Sequence, residues 1–407
     1  MATIRPFRAL RPRPGQASAV AAVPYDVVNT AEARALAAGN PLSFLRVSRP
    51  EIELADGTDP HADAVYAAAA ANFARLRAAA PLVEEATPSL YVYRLRMGAH
   101  EQTGVAACFS VDDYEADVIR KHERTRKDKE DDRTRHIIEL RAQTGPVFLT
   151  YPASAAVDAA VTATVAGTPL FDFAAPDGVR HTVWCATAAV ATALVTGYAE
   201  IPLLYIADGH HRAASAMRAR QALRERTPGE GPIEADSFLA VAFPDDQTQV
   251  LPYHRVVKDL AGHSPESFLE VLGARVGVAP GGDTPSGPGE VAMYLAGRWY
   301  TLRLASAADA TPPADRLDVQ LLHEQVLAPL LGVGDPRTDT RIDFIGGIRG
   351  PGALAERVDG GGAAIAFALC PVSVTDLMQI ADSGGIMPPK STWFEPKLRD
   401  GLMTHLI

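Results

Sequence analysis

The sequence predicts a mixed α/β protein of the α+β kind, and three observations carry that prediction. Short apolar runs of strand length recur along the whole chain. Ala-rich stretches with helical spacing separate them, so helices and hairpins alternate without a strict βαβ rhythm. At 407 residues the chain is also too long for one simple core. Two domains are therefore expected, a core of inserted strands and helices over 1–260 and a C-terminal α/β domain over 261–407 that returns its Pro388-Pro-Lys-Ser-Thr392 loop to the core's site.

Taken in order, an irregular Pro/Arg segment leads to Val23-Pro24-Tyr25-Asp26-Val27. Asn29-Thr30 caps a helix to Ala38, stopped by Gly39 and Pro41. Ser43 to Val47 reads as a strand and Asp59 to Ala80 as a long Ala-rich helix. Leu90 to Arg96 alternates as a half-buried strand should, with Thr103 to Val111 as its hairpin partner. The densest charge run, 117–141, fits either a solvated helix laced with i,i+4 pairs or a segment lining a polyanion site.

Further on, Gly145 to Tyr151 is a strand and Asp172 to Trp184 a hairpin turning at Pro176-Asp177-Gly178. Thr187 to Tyr198 is a helix. Leu203 to Ala207 is a strand, Asp208-Gly209 its turn, and a helix follows with apolar residues at Ala213, Ala216, Met217 and Leu223. Ser237 to Phe243 is a strand, and a second His-Arg pair, His254-Arg255, follows it. Pro265 to Leu272 is a helix, Ala279 to Gly289 a linker or exposed loop, and Val291 to Leu304 a hairpin at Gly297. Leu317 to Leu331 is an amphipathic helix; Asp339 to Gly347 and Ala363 to Cys370 are strands.

Composition narrows the function classes. A net charge of −10 argues against a general affinity for nucleic acid. No run of 18 apolar residues suggests a membrane span, and prolines interrupt the Arg-rich start where a secretory signal would need an apolar core. The three cysteines are far apart and read as buried thiols of a reducing compartment, so a cytoplasmic protein is expected.

The residues with chemistry cluster at the strand–turn–helix. His210, His211 and Arg212 sit on a helix's first turn, where free N–H groups and the macrodipole attract anions, and Arg212 can grip a phosphate bidentately. Cations there oppose the dipole, so the pattern serves an anion better than it serves helix stability; a cap by Asp208 paired with Arg212 is the plainer alternative. No zincin, P-loop, GxGxxG or GxSxG pattern is present. Pro388-Pro389-Lys390-Ser391-Thr392 imitates only the end of a P-loop, with prolines where backbone donors are needed.

What remains suits phosphoryl transfer. Asp26, Glu123 and Asp208 can take a proton, and Asp208 or Glu123 can hold Mg²⁺. Gly209, His210, His211, Arg212, Lys121, His122, Thr125, Lys390, Ser391 and Thr392 are the candidates for phosphate and nucleotide.

Val23-Pro-Tyr-Asp-Val27, Lys121-His-Glu-Arg-Thr125, Ala207-Asp-Gly-His-His-Arg212 and Met387-Pro-Pro-Lys-Ser-Thr-Trp-Phe-Glu-Pro-Lys397, in this order, resemble the domain-of-unknown-function family 1015 over nearly the full chain. The DGHHR turn also resembles that of the free-serine kinases of the ParB/sulfiredoxin-like superfamily. The resemblance implies a ParB/sulfiredoxin-like nucleotide-binding core with large insertions. It also implies Asp208 near a reacting hydroxyl or a metal, and His210, His211 and Arg212 on nucleotide phosphates. The activity it implies is phosphorylation of free L-serine or a similar amino acid by ATP or ADP with Mg²⁺. A nucleotide-binding switch using ATP or CTP without kinase activity is the alternative, and an interaction scaffold a third reading. A homodimer stays open.

Overall fold

In the computed structural model, which describes residues 1–79, 81–226, 229, 231–308 and 310–407, helices and sheets mix as expected of an α+β chain. Two compact units are formed. The first comprises Met1–Thr248 and Pro396–Ile407, the second Gln249–Glu395. The expected division was a single cut at 260/261; the observed one falls after Thr248 and returns the chain's end to the first unit.

A nine-stranded sheet is the frame of the first unit. Its path runs Ile119–Arg120, Leu204–Asp208, Val147–Tyr151, Ser237–Pro244, His100–Ser110, Tyr91–Met97, Arg180–Cys185 and Phe171–Ala174, with Ile4–Arg5 added beside His100–Ser110. Leu204–Asp208 lies parallel to Ile119–Arg120 and antiparallel to Val147–Tyr151. The Tyr91–Met97 and His100–Ser110 hairpin pairs Tyr91 with Ala106 and Met97 with His100. Val105, Ala107, Phe109, Leu149, Ile206, Phe238 and Ala240 form one buried core with Val157, Leu194 and Ala213 from the helices. That burial, at roughly 25 cal/mol per Å² of apolar surface, is what fixes the strand ends on which the chemistry sits.

A four-stranded sheet joins Leu82–Glu84, Ala9–Pro12, Thr404–Leu406 and Ala142–Gln143. The chain's last strand thus pairs with one of its first, His405 with Ala9. Asn29 caps Thr30–Ala37 by a full capping box with Glu32, as its spacing predicts. The second unit is built on a six-stranded sheet, Gly277–Pro280, Arg298–Arg303, Glu290–Leu295, Ile365–Ala368, Tyr253–Val257 and Ile342–Gly346. A two-stranded ribbon, Val250–Leu251 with Trp393–Phe394, completes it.

Several expectations are corrected. Ser43 to Val47 is no strand: Ser43 Oγ takes the Leu45 N–H and Leu45–Ser48 closes a helical turn. Leu45 and Val47 are both buried, and alternation that short fits a buried helical turn as well as a strand. The long helix spans Asp63–Ala78, and Ala80, its expected last residue, lies outside the described residues. The helix expected over 317–331 is interrupted by a π turn, His323–Leu327, between Asp318–Leu322 and Ala328–Leu331. Pro329 has no N–H to give, which widens the turn before it. Part of the 279–289 loop is edge strand, Gly277–Pro280 paired with Arg298–Arg303. Among the cysteines only Cys108 is buried; Cys185, at a strand end, is exposed. No described helix is long and apolar enough to cross a membrane.

Candidate functional site

The site begins where the strand Leu204–Asp208 stops. Pairing with Val147–Tyr151 slips by one residue between Ile206 and Asp208, and such a bulge re-aims the side chain that follows it. Gly209 then turns the chain at φ +94, and the helix His210–Arg226 starts at once. A Cβ on Gly209 would stand 2.8 Å from Arg212 Nε, so only glycine permits both the turn and the packed guanidinium. The N–H groups of His210, His211 and Arg212 meet no acceptor among the described residues, as the first turn of a helix leaves them.

Arg212 is the centre of charge. Its Nη1 donates to the Pro146 carbonyl, its Nη2 lies 3.4 Å from Asp208 Oδ2 and 4.0 Å from Asp26 Oδ2, and its buried Nε has no partner among the described residues. Lys397, from the returning C-terminal segment, donates to the same Asp208 Oδ2 at 3.2 Å. Burial alone would raise the Asp208 carboxyl; Lys397 and then Arg212 overcome it and hold it well below the usual carboxylate range. A carboxylate held so firmly ionised is a weak base, so the expectation that Asp208 takes a proton gives way to a different role: it anchors two cations. Asp400, 2% exposed, lines the same cavity as Arg212. Its Oδ1 would stand 2.9 Å from a Cβ on Gly145, which leaves room there only for glycine.

Beside Arg212 is a cavity of about 30 Å³, room for one or two waters. Tyr25, Arg133, His136, Gln143, Arg212 and Asp400 are among its walls. Arg133 is paired with Asp132 at 2.7 Å and lies over the Tyr25 ring at 4.2 Å.

The loop between Ile119–Arg120 and the helix Lys127–Leu140 closes on the turn. His122 N–H points to His210 Nε2 at 3.4 Å, and the two rings meet edge to face with centroids 4.4 Å apart. Arg126 N–H donates to His211 Nε2 at 3.0 Å. Both Nε2 atoms are therefore acceptors, and each neutral imidazole carries its proton on Nδ1. Burial holds His122 down to about 4, and burial with His122 as neighbour holds His210 far below its ordinary value. His210 Nδ1 faces Glu123 Oε2 at 3.6 Å, and His122 Nδ1 is buried without a partner among the described residues.

The structure thus brings Asp26, His122, Glu123, Asp208, Gly209, His210, His211 and Arg212 to one place. Lys121 is engaged elsewhere, on the Tyr114 carbonyl at 2.8 Å, the Tyr114 ring and Asp117. Thr125 Oγ1 is spent on Glu130. His210 is 3% exposed and packs inward, so its ring shapes the turn and offers no open clamp. Lys390, Ser391 and Thr392 belong to the second unit, where Ser391 Oγ donates to the Pro388 carbonyl. The charge run divides into a loop and a helix. Its loop touches the turn, while its helix carries solvent-side pairs such as Arg135–Glu139 and packs on His210–Arg226 through Ser215 Oγ to the Glu130 carbonyl.

Sequence reasoning missed Lys397 and Asp400 as site residues. The Pro396-Lys397 end of the last motif was the available signal for the first; Asp400 had none.

The fold and turn define an α+β protein with a cation-bearing strand–turn–helix in its first unit. The chain belongs to the family described as protein of unknown function, DUF1015, whose model matches residues 4–320. None of the curated proteins matches it. Among solved structures, it is similar to SbnI with C-terminal truncation from Staphylococcus aureus at 13% identity, covering 74% of this chain and 87% of that one, with a TM-score of 0.39. A free serine kinase in complex with AMP is 11% identical, with 74% and 91% coverage and a TM-score of 0.35. A conserved hypothetical protein from Pyrococcus furiosus is 14% identical, with 74% and 95% coverage and a TM-score of 0.33. Agreement at that level leaves the reading of the site to its own geometry.

Proposed function

We propose that the Asp208–Arg212 turn binds the phosphates of ATP or ADP, in a ParB/sulfiredoxin-like core, and that the chain transfers a phosphoryl group to the hydroxyl of a small metabolite such as free L-serine. The observation that carries this reading is the set of unanswered donors at one turn, three first-turn N–H groups and Arg212 Nε, with the buried His122 Nδ1 beside them also without a partner among the described residues. Buried polar groups in a native fold are nearly always satisfied, and a phosphate supplies the acceptors these lack. Arg212 and Lys397 are the charges that would turn from Asp208 to the phosphates, and Asp208 holds them in place until then.

In this scheme the acceptor hydroxyl gives its proton to Asp26, its oxygen bonds to the transferred phosphorus, and the bond to the departing nucleotide breaks. Two carboxylates, Asp26 and Asp208, lie beside Arg212, so a polyanion arriving there needs a companion cation. Mg²⁺ supplies that neutralisation and arrives with the nucleotide. Among the described residues no cluster of three His, Cys, Asp or Glu could hold the ion by itself; Asp208 Oδ2 is already shared by two cations, so the partly exposed Glu123 or Asp26 would serve as a single protein ligand to an ion held mainly by the phosphates.

A second reading is favoured by one observation. The His122–His210 and Arg126–His211 contacts tie the 121–126 loop over the turn, so phosphate entry would move that loop, as a nucleotide-driven switch requires. Incubating the protein with Mg²⁺, ATP, ADP or CTP and a pool of amino acids, read by ³¹P NMR, separates the two. A phosphorylated amino acid is expected, and Asp208→Asn should lower its yield by about 100-fold, the scale of a lost electrostatic contact. Bare binding or simple hydrolysis would leave the switch, and full activity of Asp208→Asn would remove this turn from the chemistry.

A further inference from the structure

The second unit holds a buried cation that no described carboxylate neutralises. Arg255, in the strand Tyr253–Val257, is 4% exposed. Its Nη1 donates to the Tyr253 carbonyl at 2.6 Å and its Nη2 to the Pro389 carbonyl at 3.2 Å. The Phe344 ring lies 5.3 Å from its guanidinium carbon. No carboxylate pairs with it among the described residues, and Nε–H has no acceptor among them. Burial pushes its pKa down to about 9, with only Tyr253 opposing.

Buried charges in folded proteins are paired, because an unpaired one loses its hydration without compensation. Carbonyl dipoles and an aromatic face ease that cost without cancelling the charge. The adjoining loop then adds a second cation. Lys390, one residue beyond the Pro389 carbonyl that holds Arg255, is exposed and sits in the left-handed region at φ +55. Its ammonium stands 5.3 Å over the Tyr253 ring and forms no ion pair among the described residues. Trp393 meets the same ring at 5.0 Å, edge to face, and gives its indole N–H to Glu395 Oε1 at 2.7 Å. The acid nearest in sequence, Glu395, is thus engaged by an indole.

We propose that Arg255 and Lys390 form an oxyanion site in the second unit that takes a phosphate group. Two unopposed positive charges on one strand and one loop match an anion near −2 better than a singly charged carboxylate, and phosphate carries about −1.5 to −2 near neutral pH. The guanidinium brings an open Nε–H and fixed geometry, and the ammonium a point charge from a rigid Pro-Pro turn. The stiffness of that turn is why prolines are acceptable where a P-loop would need N–H donors: here side chains, and not the backbone, hold the anion.

The site stands apart from the reading of the Asp208–Arg212 turn, and its test is local. In ¹⁵N-indole NMR of the full chain, titration with inorganic pyrophosphate should shift the Trp393 signal while the buried Trp184 signal stays in place. Lys390→Ala, at an exposed position, should weaken that response about tenfold, and Arg255→Met should abolish it. Because Arg255→Met removes an unpaired buried charge, its melting temperature without phosphate should equal or exceed that of the parent. Asp208→Asn should keep the Trp393 response, so either proposal can fail alone. Tighter response to ATP than to pyrophosphate would make the phosphate part of a nucleotide, and the reverse would make it free; both support the site. An unmoved Trp393 signal at saturating ligand, or an undiminished shift in Arg255→Met, would overturn it.

Discussion

At Asp400 and Asp208 the same chain pushes two carboxyls to opposite sides of the usual carboxylate range. Burial drives Asp400 up to about 7; Arg212 opposes most, Asp26 reinforces, and Arg133 and Arg399 oppose further. Asp208, flanked by Lys397 and Arg212, stays ionised far into acid. Such pairs, pushed apart by their surroundings, mark sites where protons are handled. The linkage has a definite sign. The native state keeps the Asp400 proton up to about pH 7, whereas an unfolded aspartate loses it near 3.9, so the native state binds more protons in between and stability falls as pH rises through that window. The full effect is on the order of 4 kcal/mol. Asp400→Asn removes the titration, so its thermal stability should change less than the parent's between pH 5 and 8 and should match or exceed it at pH 8. Parallel pH profiles for the two proteins would show that Asp400 is ionised throughout.

The strand–turn–helix makes its own demand on sequence. With φ +94 and Arg212 Nε 2.8 Å from the place a Cβ would occupy, Gly209→Ala meets a backbone penalty of about 1–2 kcal/mol and displaces the guanidinium as well. Thermal unfolding should show a loss of that size. Nucleotide affinity, measured by calorimetry, should fall more steeply than stability does, because the displaced group is the one proposed to hold phosphate; equal losses would reduce Gly209 to a structural turn.

This element was legible in the sequence because all of its information is local: an apolar run, Asp-Gly, and helical spacing within about two dozen residues. The hairpins at Gly178 and Gly297 were legible for the same reason. What could not be read was set by tertiary neighbours. Ser43 to Val47 alternates like a strand yet finds no strand to pair with, and buries Leu45 and Val47 as a helical turn against Asp63–Ala78. Lys121 and Thr125 stand in the right motif, but Asp117 and Glu130, close in sequence and of opposite charge or matching hydrogen-bonding capacity, claim them first.

At the scale of the whole chain, the first unit is closed by its last residues. After the second unit has been made, Pro396–Ile407 returns to supply Lys397 to Asp208, Asp400 to the cavity beside Arg212, and the strand Thr404–Leu406 to the sheet of Ala9–Pro12 and Ala142–Gln143. His405 also spans Gln143 and Glu234, at 3.1 and 3.0 Å. No local pattern could reveal contacts between residues this far apart in sequence, and their loop-closure entropy is met only when the whole chain is present. A chain ended after Glu395 would leave Arg212 facing Asp208 without its second cation and Gln143 without its imidazole. It would also uncover one edge each of Ala9–Pro12 and Ala142–Gln143. The expected outcome is a first unit that exchanges its amide hydrogens faster across Leu204–Asp208 and Ser237–Pro244 and binds no nucleotide, while the six-stranded sheet of the second unit keeps its protection. Unchanged exchange in those two strands would mean that the first unit is complete without the end of the chain, and that Lys397 and Asp400 are additions to the site and not part of what holds it.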